Sequence, residues 1–477
     1  MADLLFDPIP QWTTAEGYWL MAVMHADLGA QPRQRYFFPL ALDWETREHD
    51  PLEKLGQWSF AKVRHKGRTG VLYGAFGNPG FSRALARAIG EGKEIVLGSA
   101  CLRFMTTSIY PGVAAAIEEE IRIPSLEQSN TAVFFGSQLF LKGYRRLYPG
   151  LHPEVEMGRF LTESSPFAHI APVAGAVEYM ENEGGEPSTL AILQKFVRNQ
   201  GDVWTYTLEY LDRVLAHPLA ESTEVPHGFY LPQMALLGQR VAELHRALAK
   251  RTGDPAFDPE PMTQADFAAW REKVLAHLQQ MLDRVGEARD RLPLPIQPQV
   301  DELLGARAAL TERARALECE AAGVMKTRHH GNLHLGQVLI AENDFVFIDF
   351  EGDVARPASE WRTKHSPLCD VAGMLRSFSY AARTALVKAQ SVQPDGTTTI
   401  AGEIGEWEQL TARAFLDGYR RSARGLASVP ADEKSMQSTI ALCLIERALQ
   451  DLNHEMENRP EWMHVPICQL LKTFAFA

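Results

Sequence analysis

The stretch from Lys326 to Arg362, KTRHHGNLHLGQVLIAENDFVFIDFEGDVARPASEWR, holds the densest group of side chains able to do chemistry. His330, Asn332, His334 and Gln337 precede one short apolar run, and Asp349, Glu351 and Asp353 follow a second. An amide oxygen from Gln337 and a carboxylate from Asp349 suit a hard cation such as Mg2+, with phosphate oxygens filling its other positions. Such a pair could serve chemistry at a phosphate group, where positioning and charge neutralisation matter most.

These groups need an element that brings them together. The apolar runs Gln337–Ile340 and Phe345–Phe350 flank a polar turn at Glu342–Asp344, which predicts a strand–turn–strand hairpin with both ends in one place. Upstream, residues 125–163 predict a strand, a turn at Gly136–Ser137, a strand, a loop and a helix that follows Pro153. Lys142 falls amid apolar residues of the second strand, and Glu154 and Glu156 lie near the helix start. A strand lysine paired with a helix glutamate could present a fixed positive charge to an anionic ligand. A surface lysine beside a solvated helix face is the plainer alternative.

The rest of the chain supplies two kinds of framework. Residues 16–45 predict two strands turning at Gly29–Pro32, residues 57–75 a hairpin turning at Lys66–Gly70, residues 79–90 a helix, and Glu94–Phe104 a strand. Residues 169–197 predict two more strands around a polar turn at Glu183–Glu186, with Gln194–Asn199 as the connection between lobes. Beyond this point the pattern turns helical. MALLGQRVAELHRALAK has apolar residues at helical spacing, with His245 on that stripe as a packed or capping histidine. Residues 263–292, opened by a capping box of Thr263 and Asp266, and residues 298–322 predict two charge-laced helices. Another helix starts at Ser366–Pro367, and the tract 392–401 reads as a loop.

A chain of 477 residues can bury a sizeable core, and its net charge of −12 speaks against binding nucleic acid or an anionic membrane. The opening MADLLFDPIPQW has no basic region followed by an apolar run, and no stretch reaches the length of a membrane span, so a cytoplasmic location is expected. Cys101, Cys319, Cys369, Cys443 and Cys468 are scattered without CxxC spacing, which predicts reduced thiols.

HGNLHLGQVL, IDFEGD and SPLCDVAGMLRSFSYAA together resemble the maltokinase family, including the maltokinase domain of trehalose synthase fusions. EQSNT, LKGYRR, NQGDVWTYTLEYL and the closing ERALQDLNHEMENRPEWMHVP extend the resemblance. It implies an α+β, two-lobed protein-kinase-like fold: an N-terminal β-rich cap at 1–110, a nucleotide-binding lobe at 111–198, and a mainly helical lobe with the catalytic and metal loops at 199–477. It implies ATP and Mg2+ as cofactors and phosphorylation of maltose, or a related sugar, to maltose 1-phosphate, with trehalose synthase as a possible partner. Residue by residue, Ser129, Asn130 and Thr131 would form a phosphate-facing turn, and Lys142 would be the nucleotide lysine with Glu156 its partner and Glu154 the other candidate. Gln194, Phe196 and Val197 would meet the adenine, and Gln337 and Asp349 the metal. Asp202, His330, His334, Arg356, Tyr380 and Trp462 would face the sugar. Asp202 also suits a helix cap, Trp462 a core position, and Asp370 either a buttress of the catalytic loop or a helix-start charge.

One position departs from the family. Asn332 stands where the base Asp is expected, and a neutral amide cannot take a proton at neutral pH. Three readings follow: an impaired enzyme, another base such as Glu351, or a pseudokinase that binds without turnover. A domain that works beside trehalose synthase, and a kinase for an amino sugar or aminoglycoside, are the further alternatives.

Overall fold

The structure, a computed structural model, describes residues 3–6, 9–27, 33–98, 100–124, 130–181, 186–216, 227–352, 360–392 and 397–473. The chain divides into two compact units, one of residues 1–164 and 170–198, the other of 165–169 and 199–477. The expected class holds: the first unit is sheet-rich and the second is helical.

Two antiparallel sheets build the first unit. One runs in the order Asp3–Phe6, Tyr18–Asp27, Gln34–Trp44, Arg68–Gly74, Ser59–His65. The other runs Glu94–Leu97, Ala100–Thr106, Val173–Glu181, Ser188–Lys195, Leu139–Tyr144, Asn130–Phe135, Ile121–Arg122. The expected single strand at Glu94–Phe104 is two, because Gly98 adopts a left-handed φ of 65° and turns the chain back on itself. Asn130–Phe135 alternates between buried and half-exposed residues, as a strand near a sheet edge should, whereas the more central Leu139–Tyr144 is buried at nearly every position. Lys142 is thus carried on a strand whose other residues are covered. A shared core containing Trp19, Phe76, Phe81 and Phe135 lies behind it.

The second unit is organised by long helices at Tyr230–Leu248, Gln264–Ala288, Leu368–Val392, Thr397–Ser422 and Glu433–Asn458. A Cβ on Gly238 would lie 2.0 Å from the Phe415 carbonyl, and one on Gly418 would lie 1.9 Å from that of Ala235. Glycine at both places lets these two backbones touch. The capping box at Thr263 forms as expected, with both of its hydrogen bonds present. The helix expected over 298–322 is broken into Gln297–Gly305 and Arg307–Arg315, just after Gly305, a residue of poor helix propensity. The described end of the 392–401 tract is helix from Thr397 and not loop, because the apolar residues that follow it continue at helical spacing.

The hairpin of the chemistry-bearing stretch is tighter than expected. Its strands are Val338–Ala341 and Asp344–Phe347, and Glu342 and Asn343 both take positive φ (52° and 61°), the requirement of a two-residue type I′ turn. Asp349 therefore lies outside the strand, with its own φ at 58°.

Candidate active site

In the first unit the buried Lys142 meets a carboxylate. Its Nζ lies 2.9 Å from Glu154 Oε2, and Tyr144 donates to the same oxygen at 2.6 Å. The partner seen at that distance is Glu154, whereas the sequence put Glu156 first. Pro153 starts the helix one residue earlier, so Glu154 occupies its first turn and can reach back to the strand. Glu156 is also buried on that first turn. His152 caps the helix by accepting from the Glu154 N–H at 3.3 Å, and its ring stacks on Tyr144 at 4.2 Å. Burial, and then the Lys142 charge, push the His152 imidazole down to about 3, so it stays neutral and remains an acceptor.

In the second unit the loop at His330–Gly331 is gripped from two sides. Asp370, near the start of the helix Leu368–Val392, accepts from His330 N at 2.8 Å and Gly331 N at 2.9 Å. From the helix Glu433–Asn458, Arg447 donates to the Gly331 carbonyl at 2.9 Å. Burial alone would raise the Asp370 carboxyl. The imidazoles of His329, His245 and His330 outweigh it and hold the carboxyl well below the usual range. His245 Nε2 lies 3.1 Å from Asp370 and its Nδ1 3.0 Å from Tyr419. The two helices with reciprocal glycines thus also supply the pair that orients this carboxylate.

His330 is 1% exposed, and its Nε2 bonds the Ile348 carbonyl at 2.9 Å, which ties the loop to the chain leading into Asp349. His334 caps the short turn Leu335–Gln337 by accepting from Gly336 N at 3.1 Å. Burial, followed by nearby positive charges, takes it down to about 4. Asn332 is half-buried between them. The carbonyl of the next residue, Leu333, would lie 2.4 Å from a Cβ on Gly373, so this glycine lets the helix pass directly under the loop.

Asp349 and Glu351 have carboxylate oxygens within 4.8 Å of one another. The Oε1 of Gln337 is buried with no hydrogen-bond partner among the described residues. A buried amide oxygen without a donor is costly, and a cation would satisfy it. Asp349 in the left-handed region is a backbone outlier of the kind that gathers at functional sites. The donor set of Gln337 and Asp349 fits Mg2+.

Beside Gly331 opens a cleft lined by Arg328, Glu360, Trp361, Glu446, Arg447 and Gln450. Trp270 Nε1 donates to Glu446 at 3.0 Å.

The remaining expected residues fall elsewhere. Asn130 and Thr131 start a strand and form no turn, since they pair with Tyr144 and Gly143, and Arg145 donates to the Thr131 hydroxyl. Ser129 and Arg356 lie outside the described residues. Gln194 is buried in its strand opposite Phe140. The Phe196 N–H bonds the Gln138 carbonyl and its ring meets Phe134, and Val197 follows just before the unit boundary. Asp202 caps the helix Val203–Ala216 through Thr205. Tyr380 donates to Glu455 at 3.3 Å, and Arg459 lies over the half-buried Trp462 at 5.6 Å.

The cysteines overturn one expectation. Cys369 and Cys443 form a disulfide with Cα atoms 5.1 Å apart, while Cys101, Cys319 and Cys468 are free. The two are 74 residues apart, and only the packing of two helices brings them together. Sequence spacing carries no signal of that.

No protein-family model matches the chain. A glucosamine kinase of Streptacidiphilus jiangxiensis is 25% identical over 284 residues, 60% of this chain and 57% of that protein. A glucosamine kinase of Mycolicibacterium smegmatis is 27% identical over 348 residues, 72% of this chain and 76% of that protein. A solved glucosamine kinase in complex with glucosamine, ADP and inorganic phosphate superposes with a TM-score of 0.65 at 21% identity, covering 98% of this chain and 93% of that one. The fold is that of these kinases. A second crystal form of glucosamine kinase gives the same score at 19% identity.

Proposed function

We propose that the chain is an ATP-dependent kinase for an amino sugar. The observation that carries this reading is the cleft beside Gly331, where Glu360, Glu446 and Trp361 share the lining with Arg328 and Arg447. Carboxylates complement an ammonium group, and a flat ring suits the apolar face of a pyranose. Sequence relatives and the superposed structures named as glucosamine kinases support the same choice. Maltose carries no positive charge for those carboxylates to meet, and nothing in the site favours a role linked to trehalose.

In the reaction a sugar hydroxyl attacks the γ-phosphorus, the bond to the β–γ bridging oxygen breaks, and ADP leaves. Lys142, steadied by Glu154 and Tyr144, suits the α- and β-phosphates. Gln337 and Asp349 would hold Mg2+, whose chemistry is to neutralise phosphate charge. The Asp370–Arg447 grip fixes His330 and Gly331, directly before Asn332 in the chain. Asn332 can orient the hydroxyl but cannot accept its proton, so Glu351 is the acceptor offered by this chain. A site that consumes ATP belongs in the cytoplasm.

Incubation with ATP and Mg2+ and, separately, glucosamine, maltose or glucose tests the reading by release of ADP and mass of the sugar product. Glucosamine phosphate is the expected product. Turnover of maltose and not glucosamine overturns the amino-sugar assignment. Nucleotide binding with no sugar turned over favours a binding protein without catalysis, the reading that Asn332 itself suggests.

A further inference from the structure

The disulfide lies in the wall of the same cleft. Cys369 and Cys443 both line it, with Gly331. Each is coupled to one side of the grip on the catalytic loop. Cys369 directly precedes Asp370, which accepts both loop N–H groups. Cys443 lies one helical turn before Arg447, on the same face, and Arg447 holds the Gly331 carbonyl. The covalent bond therefore joins the two helices that hold the loop from opposite sides.

We propose that Cys369–Cys443 is a reversible thiol switch, opened by a dithiol reductant, that governs the acceptor cleft and the hold on His330–Gly331. The chemistry is provided for locally. Cys369 is half-buried at the cleft, and His365 Nδ1 lies 3.7 Å from its sulfur. A reductant thiolate attacks the Cys369 sulfur; the S–S bond breaks and its electron pair leaves on the Cys443 sulfur, which takes a proton. The second reductant thiolate then attacks the mixed disulfide and releases Cys369 as a thiolate beside the His365 imidazole, where it is protonated. The protein gains two electrons and two protons, and the reductant becomes a disulfide.

The bond is out of place as a mere staple. The helical unit already has a large apolar core, including Leu278, Leu282, Leu442 and Leu449, and Cys319 in that core is free. Disulfides stabilise small secreted domains that lack such a core, whereas in reducing compartments they are chiefly transient or redox-sensing. The link to acceptor binding rests on the kinase reading above; the link to the loop does not.

The test compares the full chain oxidised and after dithiothreitol, the two states verified by thiol alkylation and mass. Amide hydrogen exchange is read over residues 328–335, and KM is measured for glucosamine and for ATP. The reduced chain is expected to exchange its loop amides severalfold faster and to show a raised KM for the sugar with the KM for ATP little changed. Cys443→Ser is expected to match the reduced chain and to ignore dithiothreitol, and a circular-dichroism melt checks that it is folded. Loop exchange that is the same in both states overturns the switch, as does a bond that dithiothreitol cannot open while the protein stays folded. Faster exchange with no sugar phosphorylated in either state supports the switch and overturns the kinase reading instead.

Discussion

His245 and Asp370 stand 3.1 Å apart, both fully buried, and the free carboxylate valence of this pair is spent on the main chain of His330 and Gly331. Removing Asp370 would leave His245 and the two loop N–H groups buried without their acceptor, and a buried polar group so stranded costs about 1–3 kcal/mol. Asp370→Ala is therefore expected to lose stability of that order in chemical denaturation, with His245→Gln costing less because an amide can still donate. A variant at Asp370 that unfolds at the parental midpoint would show that the loop is held by other means.

Asn332→Asp puts a carboxylate at the position where the resemblance to the maltokinase family expects a base. General-base assistance is worth about 10²–10⁴-fold, so kcat is expected to rise within that range while the KM for ATP stays put. An unchanged kcat, together with a collapse on Glu351→Gln, would assign the proton acceptor to Glu351.

For the nucleotide, Lys142→Met and Glu154→Gln are expected to weaken ATP binding together, since each breaks the buried Lys142–Glu154 pair. Glu156→Gln is expected to do less. Titration of ATP by calorimetry separates the three, and an ordering with Glu156 above Glu154 would return the role to the residue that the sequence favoured.

Acid should loosen the fold earlier than carboxylate titration alone would predict. His334 is held down to about 4 and His152 to about 3, against an ordinary 6.5. As pH falls below 6.5 the unfolded chain takes up protons that these buried rings refuse, so stability drops. The slope is at most about 1.4 kcal/mol per pH unit for each histidine. Asp370, held low, adds a contribution that is present above the ordinary carboxylate range and is lost as pH falls through it. Thermal melts from pH 7 to 4.5 are expected to fall throughout, and His334→Gln to flatten the curve; a flat parental curve would contradict this account.

Much of this was legible because local rules and tertiary demands agreed. The hairpin around Glu342–Asn343 declared itself by apolar runs and a polar turn, and the Thr263 capping box by spacing alone. Lys142 was legible as an out-of-place charge in an apolar strand. What escaped depended on partners distant in sequence. His245 sat on an apolar stripe and looked like packing, Arg447 looked like one more charge on a long helix, and His152 and Tyr144 had no motif to mark them. The choice between Glu154 and Glu156 turned on where a helix begins to within a residue, which periodicity cannot settle. The substrate was the least legible, because the cleft collects Arg328, Glu360, Glu446 and Gln450 from separate segments.

The grip on Gly331 has a consequence for synthesis. Asp370 and Arg447 must both be present to hold that peptide, and Arg447 comes 116 residues after Gly331. A polypeptide still growing on the ribosome has made its whole sheet-rich unit, and the loop itself, long before it owns the arginine. The loop is thus completed by a residue made much later, and premature termination anywhere before Arg447 yields a product that keeps the Lys142–Glu154 pair but lacks the hold on the Gly331 carbonyl.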